Sequence, residues 1–115
     1  MNTKQILKLV ESYSGKDLKT PSHGREVTDL RWVYFKLCRK YLKRASLTEI
    51  GKPVNRDHST VIHGLTQFDL LKDMKFFENN IKIFDYCDLE IFLLTTKEET
   101  WMLEMRKKIN ELTTC

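Results

Sequence analysis

The residue types able to do chemistry gather at Arg56-Asp57-His58-Ser59-Thr60, with His63 following. An aspartate, a histidine and a serine are the members of a hydrolytic triad. Consecutive residues on a helix point about 100° apart, however, so Asp57, His58 and Ser59 cannot form the relay that a triad needs. His58 and His63 do not have the HExxH spacing of a zinc helix, and no metal or cofactor site is expected. The chemistry that fits is recognition of a nucleic-acid duplex. Asp57 can accept from cytosine N4, and His58 can donate to an acceptor on a base edge. Ser59 and Thr60 can bond to bases or phosphates, and the threonine methyl can pack on a thymine methyl. The unpaired N–H groups of a helix start favour phosphate, which suits Arg56 just before the helix and His63 one turn into it to the backbone.

Such a set needs a helix to carry it. Residues three and four apart share a helix face, so Thr60, His63, Gly64 and Gln67 are expected along one side, with Val61, Ile62, Leu65 and Phe68 as the apolar anchor along the other. Just upstream, Ser46-Leu47-Thr48-Glu49 matches a capping box, and Gly51 and Pro53 keep the helix it opens short. Pro53-Val54-Asn55 supplies a turn. A short capped helix, a tight turn and a helix with a polar start make a helix-turn-helix, in which the second helix enters the major groove.

The support is read from periodicity. Leu30, Val33, Tyr34, Leu37, Cys38, Tyr41 and Leu42 recur at helical spacing, which predicts a central helix over 27–44. Arg31, Lys36, Arg39, Lys40 and Lys43 lie off that stripe. Thr3 can cap a first helix through Tyr13 that stops at Gly15, and residues 16–24 read as a loop carrying Lys19 and His23. The recognition helix is expected to run to Lys72 and a closing helix from Phe76 to Asp85, with Phe77, Ile81 and Phe84 inward. Thr96-Lys97-Glu98-Glu99 offers a second capping box, opening a helix with Trp101, Met105, Ile109 and Leu112 on one side and Glu104 paired with Lys108.

Composition bounds the class. One hundred and fifteen residues suffice for one compact core, and the 41% apolar and 31% charged shares are those of a globular chain. No apolar run approaches the roughly 20 residues that cross a bilayer, and no signal peptide is read, so a cytoplasmic protein without membrane contact is expected. Cys38, Cys87 and Cys115 form no CxxC pair and read as free thiols. Net charge is only +4, but residues 16–64 hold eleven Lys and Arg against five Asp and Glu. Positive charge thus gathers around the polar helix start, which points to a polyanionic partner.

The run Ser-Leu-Thr-Glu-Ile-Gly at 46–51, followed by Arg-Asp-His-Ser-Thr-Val-Ile-His at 56–63, closely resembles the signature of the carboxy-terminal DNA-binding domain of the bacterial replication initiator DnaA. Arg25-Glu26-Val27, Arg31 and Leu37-Cys38-Arg39 fit that family's basic loop and long helix, and the resemblance extends over about residues 3–85. It implies an all-α, Trp-repressor-like helix-turn-helix that binds short double-stranded DNA boxes. It also implies that Arg56, Asp57, His58, Ser59, Thr60 and His63 form the major-groove set. His23 and Arg25 then belong to a loop that reaches the minor groove, with His23 where the family carries arginine. Arg31 and Arg39 become phosphate contacts, and Thr48 stands where the family has proline. The family's Gly-Gly before Arg56 is absent, and Trp32 and Tyr34 replace smaller or polar residues, departures that bear on the target sequence. No GxxxxGK[ST] occurs, so nucleotide binding is not expected.

These readings divide the chain into a DNA-binding domain over 1–85 and a helical extension over 86–115. The extension either packs on the domain or offers a surface for a homodimer or protein partner. Sequence-specific duplex binding, in replication control or transcriptional regulation and with a phage or mobile element as a candidate source, is the leading function. A protein-interaction adaptor working through the carboxy-terminal helix is the alternative, and no catalytic role is expected.

Overall fold

A computed structural model describes the backbone of residues 1–113 and the side chains of residues 1–95. Every regular element among them is helical: α1 (Thr3–Ser14), α2 (Arg25–Tyr41), α3 (Leu47–Gly51), α4 (His58–Leu71) and α5 (Glu78–Thr113), with single 3-10 turns at Lys52–Val54 and Lys75–Phe77. The all-α expectation holds. The boundaries move for local reasons. Asn2, not Thr3, caps α1, because its side chain accepts from Gln5 N–H while Gln5 returns the bond to the Asn2 backbone. Gly15, left-handed at φ 69°, closes the helix. Helix α2 begins at Arg25, behind Gly24, and ends at Tyr41, so Arg25 lies in a helical first turn rather than in the loop.

Helix α2 is the centre of the molecule, with α1, α4 and α5 all packed against it. Leu30, Val33, Tyr34, Leu37 and Cys38 are buried along it, whereas Tyr41 and Leu42 at its end are only half-buried. Trp32 and Phe35 are buried as well, outside the stripe read from periodicity. A helix surrounded on three sides buries more than one face. Around it lie Ile6 and Val10 of α1, Ile50 of α3, Val61 and Phe68 of α4, and Cys87 and Ile91 of α5. Phe77 closes this core edge-on to Phe68, with ring centroids 5.8 Å apart. Three polar ties fix the helices in register. Lys36 meets Asp69 of α4 at 2.8 Å, Lys40 meets Asp88 of α5 at 2.7 Å, and the Tyr41 hydroxyl donates to the same Asp88 carboxylate at 2.6 Å.

The carboxy-terminal reading changes most. Phe76 and Phe77 lie in a 3-10 turn, and one helix then runs without a break from Glu78 to Thr113, a length of about 54 Å at 1.5 Å per residue. Residue 96 lies inside this helix and does not start another. The proposed capping box at 96–99, the apolar row Trp101, Met105, Ile109 and Leu112, and the Glu104–Lys108 pair lie outside the described side chains. Among the described residues, no helix is long and apolar enough to cross a membrane.

Candidate nucleic-acid interface

The helix-turn-helix forms as the local signals dictate. Ser46 Oγ accepts from Glu49 N–H at 3.1 Å and starts α3, and the Tyr34 hydroxyl donates to Ile50 O at 2.7 Å, pinning α3 to the central helix. The Lys52–Val54 turn ends at Asn55, whose φ of 57° is left-handed, and Arg56 N–H then returns to Gly51 O at 3.0 Å. The return requires glycine at 51, because a Cβ there would lie 2.3 Å from Arg56 O. Helix α4 therefore starts hard against α3.

At that start the predicted reading set divides. Asp57 is the N-cap: its Oδ1 accepts from Thr60 N–H and from Thr60 Oγ1, both at 2.9 Å. These bonds, the backbone one foremost, hold the Asp57 carboxyl below the ordinary carboxylate range. Asp57 Oδ1 and Thr60 are thus bonded to each other in order to begin the helix, and Asp57 remains exposed at its start. His58 and Ser59 are exposed, with no side-chain hydrogen bond among the described residues. His63 is exposed too and stands edge-on to Trp32 of α2, centroids 6.1 Å apart.

The faces of α4 also differ from the sequence reading. The buried stripe is Val61, Gly64 and Phe68, with Leu65 half-buried, whereas Ile62 is 47% exposed. Gly64, expected on the polar side, is instead the point of closest approach to α2. A Cβ at 64 would sit 2.5 Å from Trp32 Cδ1 and 2.7 Å from Phe35 Cδ2. The signal was present as the spacing 61, 64, 65, 68, which is a complete helical stripe once glycine is allowed to count as apolar. Ile62 falls outside it and joins Ser59 and Thr66 on the outward side.

Arg31 is corrected as well. It is 3% exposed, and its guanidinium donates to Leu18 O at 2.9 Å, to Ser22 O at 2.8 Å and to Thr20 O. It cannot reach a phosphate while it folds the loop. Burial, and then the charge of nearby Arg56, push its pKa down. With Leu18 fully buried as a plug, this clamp makes residues 18–22 a built feature. Weak bonds tie that loop to the start of α4, from Asn55 Nδ2 to Lys19 O and from Arg56 Nη2 to Ser22 O, each 3.5 Å. The structure therefore brings Lys19, the exposed His23, Arg56 and the first turn of α4 to one end of the molecule.

Other predicted positions are not drawn there. Arg25 lies over the Phe76 ring, 5.0 Å from its centroid, and its Nε is 3.4 Å from Asp29 Oδ2. Asp29 is 5% exposed with its second oxygen unpartnered, and burial raises its pKa against the opposing effect of Arg25. Thr48 is exposed in the first turn of α3. Arg39 is exposed on α2, at helical spacing from Trp32 and Lys36 and so on the side that meets α4. No group of three His, Cys, Asp or Glu able to hold a metal occurs among the described residues.

This pattern of a capped short helix, a glycine-dependent turn and an aspartate-capped second helix has a family match. The model of the bacterial dnaA protein helix-turn-helix fits residues 3–67, more than half of the chain. The chain belongs to that family. It is 40% identical over 73 residues to the chromosomal replication initiator protein DnaA of Lachnoclostridium phytofermentans. That match covers 61% of this chain and 16% of the relative, so the chain spans only a small part of the initiator's length. No solved structure matches. The matched segment ends inside α4 and takes in α3, the turn and the first ten residues of α4 of this DnaA-family chain.

Proposed function

We propose that this chain binds duplex DNA sequence-specifically, with α4 in the major groove, and serves the initiation or control of replication. One observation carries the reading: the exposed His58 and Ser59 at the capped start of α4 share one end of the molecule with Arg56 and the Arg31-clamped loop. Polar side chains there meet base edges, while the free N–H groups of the helix start and Arg56 meet phosphates. His23 and Lys19 lie beside the adjacent groove, His63 stands one turn beyond the reading residues, and Arg39 and Thr48, away from that end, meet the DNA backbone farther along the duplex. The DNA-binding unit spans residues 1–85, and the extension 86–115 is rooted in the same core by Cys87 and Ile91.

The test is selection from a random duplex library, followed by titration of the recovered box against rising salt. Binding of the box well above scrambled duplexes, with affinity falling as salt rises, supports the reading. Equal affinity for all duplexes removes the specific-readout claim. His58→Ala is expected to lose about 1–3 kcal/mol at one base pair. A second reading, a protein partner or homodimer on α5, draws on the exposed Tyr86, Leu89, Leu93 and Leu94. A pull-down that survives deletion of 56–64 but not of 96–112 favours it.

A further inference from the structure

A cavity of about 450 Å³ opens where the end of α1 meets the first turns of α2 and α5, and none of the residues gathered at the start of α4 lines it. Its size is that of a small-molecule site. Asp29 lines the cavity with a side chain only 8% exposed, and its Oδ1 has no hydrogen-bond partner among the described residues. A carboxylate oxygen taken out of water is costly unless a donor replaces the water. Its Oδ2 faces Arg25 Nε at 3.4 Å, longer than the roughly 2.7–2.9 Å of a well-made charged bond. The Arg25 side chain is itself 62% exposed, so it is free to step aside. Beside the carboxylate stands an aromatic platform. Phe76 is 61% exposed, with the Arg25 guanidinium laid over its ring 5.0 Å from the centroid.

The charges of the lining select the class of ligand. Lys16 and Arg25 balance Glu26 and Asp29, so an ion of either sign meets as much repulsion as attraction. An uncharged planar ligand escapes this balance, because it can stack on Phe76 and give its N–H groups to Asp29. A carboxylate offers two acceptors and no donor. Adenine and cytosine set a ring acceptor beside their amino group, and thymine and uracil flank one N–H with two carbonyls, so each turns an acceptor toward the second oxygen. Guanine presents two adjacent donors, N1–H and N2–H, and its O6 and N7 acceptors suit the amide N–H groups of Asn79 and Asn80 in the same lining. We propose that this cavity binds a guanine base, with its N1–H and N2–H on the Asp29 carboxylate and its ring on Phe76 in place of Arg25. The displaced Arg25, together with Lys16, then meets the phosphate that a nucleotide carries. Recognition of this kind runs through the base and needs no GxxxxGK[ST] loop. It stands apart from the helix-turn-helix and does not depend on duplex reading by α4.

The experiment titrates the whole chain with guanosine monophosphate by isothermal calorimetry, beside the inosine and adenosine monophosphates. Guanosine monophosphate is expected to bind at one site. Inosine monophosphate, which lacks only the N2 amino group, should bind about tenfold more weakly, the loss of one bond to a charged acceptor, and adenosine monophosphate more weakly still. Asp29→Asn is expected to abolish the preference for guanine. Phe76→Ala, at an exposed position, should weaken binding about tenfold through loss of the stacking ring, and thermal melting checks that each variant is folded. A single-stranded thymidine decamer carrying one guanine separates the sources of the base. Tighter Asp29-dependent binding of that decamer than of the mononucleotide assigns the site to an unpaired strand, and the reverse assigns it to a free nucleotide. Absence of guanosine monophosphate binding at millimolar concentration overturns the proposal, as expected of a cavity in which water alone serves Asp29. Equal binding of the three mononucleotides overturns it too, because only attraction of phosphate to Lys16 and Arg25 would then remain.

Discussion

Replacing Gly64 with alanine adds one methyl group at the tightest place in the molecule. The new carbon would lie 2.5 Å from Trp32 Cδ1 and 2.7 Å from Phe35 Cδ2, about an ångström inside normal carbon contact. Both rings are held in the core, at 9% and 0% exposure, so neither can swing into solvent to make room. Overpacking of this kind costs about 1–3 kcal/mol, and two obstructing rings place it at the upper end. Alanine returns about 1 kcal/mol of helix propensity over glycine. The net loss is about 1–2 kcal/mol, or roughly 4–12 °C in melting temperature for a domain of this size. Urea and thermal unfolding followed by circular dichroism measure it directly. A functional loss should accompany the structural one, because α4 must move away from α2 and carry His58 and Ser59 with it. Affinity for the selected box, measured well below the melting temperature, should therefore fall. A Gly64→Ala protein as stable as the wild type, with unchanged DNA affinity, would refute the packing argument.

The two arginines first grouped as phosphate contacts should separate. Arg31→Met loses three bonds to loop carbonyls and is expected to cost about 2–4 kcal/mol of stability, with new protease cleavage at 18–24. Arg39→Ala should leave melting nearly unchanged and reduce the salt slope of DNA binding by about one. The Asp57 cap carries a pH signature. Its pKa lies below the ordinary carboxylate value in the folded state, so its contribution is complete above about pH 4 and is lost as the pH falls through the folded value. Asp57→Asn keeps a side-chain cap and should remove that acid-side component from a stability-against-pH profile. Burial pushes the thiols of Cys38 and Cys87 up to about 12. In a Cys115→Ser chain at pH 8, alkylating reagents should therefore modify neither thiol until denaturant unfolds the protein.

The elements that depend on neighbours in the chain were legible before any coordinates. Ser46 at a helix start, the brief helix before Pro53 and the turn at Asn55 are set by bonds a few residues long, and each stands where its residue types indicate. The central helix was also plain, since seven apolar residues at helical spacing have few other ways to be buried. The position of the candidate site in the chain was legible for the same reason, because a polar helix start after a tight turn is a local pattern. The roles within it were not local. Asp57 has the chemistry of both a base reader and a cap, and only the geometry of the α4 start shows its oxygen taken by Thr60.

The misreadings on α4 and α2 share one cause. A periodic pattern gives the spacing of a stripe and leaves its centre undetermined within about one residue, or 100°. Ile62 therefore looked like part of the anchor and Gly64 like part of the exposed side, until the rings of Trp32 and Phe35 fixed which side of α4 faces inward. Arg31 lay off the apolar stripe and read as exposed, because the carbonyls that bury it belong to residues 18–22, more than two helical turns away in sequence. The sequence by itself determined the all-helical class, the helix-turn-helix and the place of the polar reading turn, all of which follow from short-range bonding and periodicity. The tertiary structure alone decided which side of α4 faces outward, that Arg31 folds a loop, and that an apolar Ile62 stands beside the polar reader. Those depend on contacts between segments far apart in the chain.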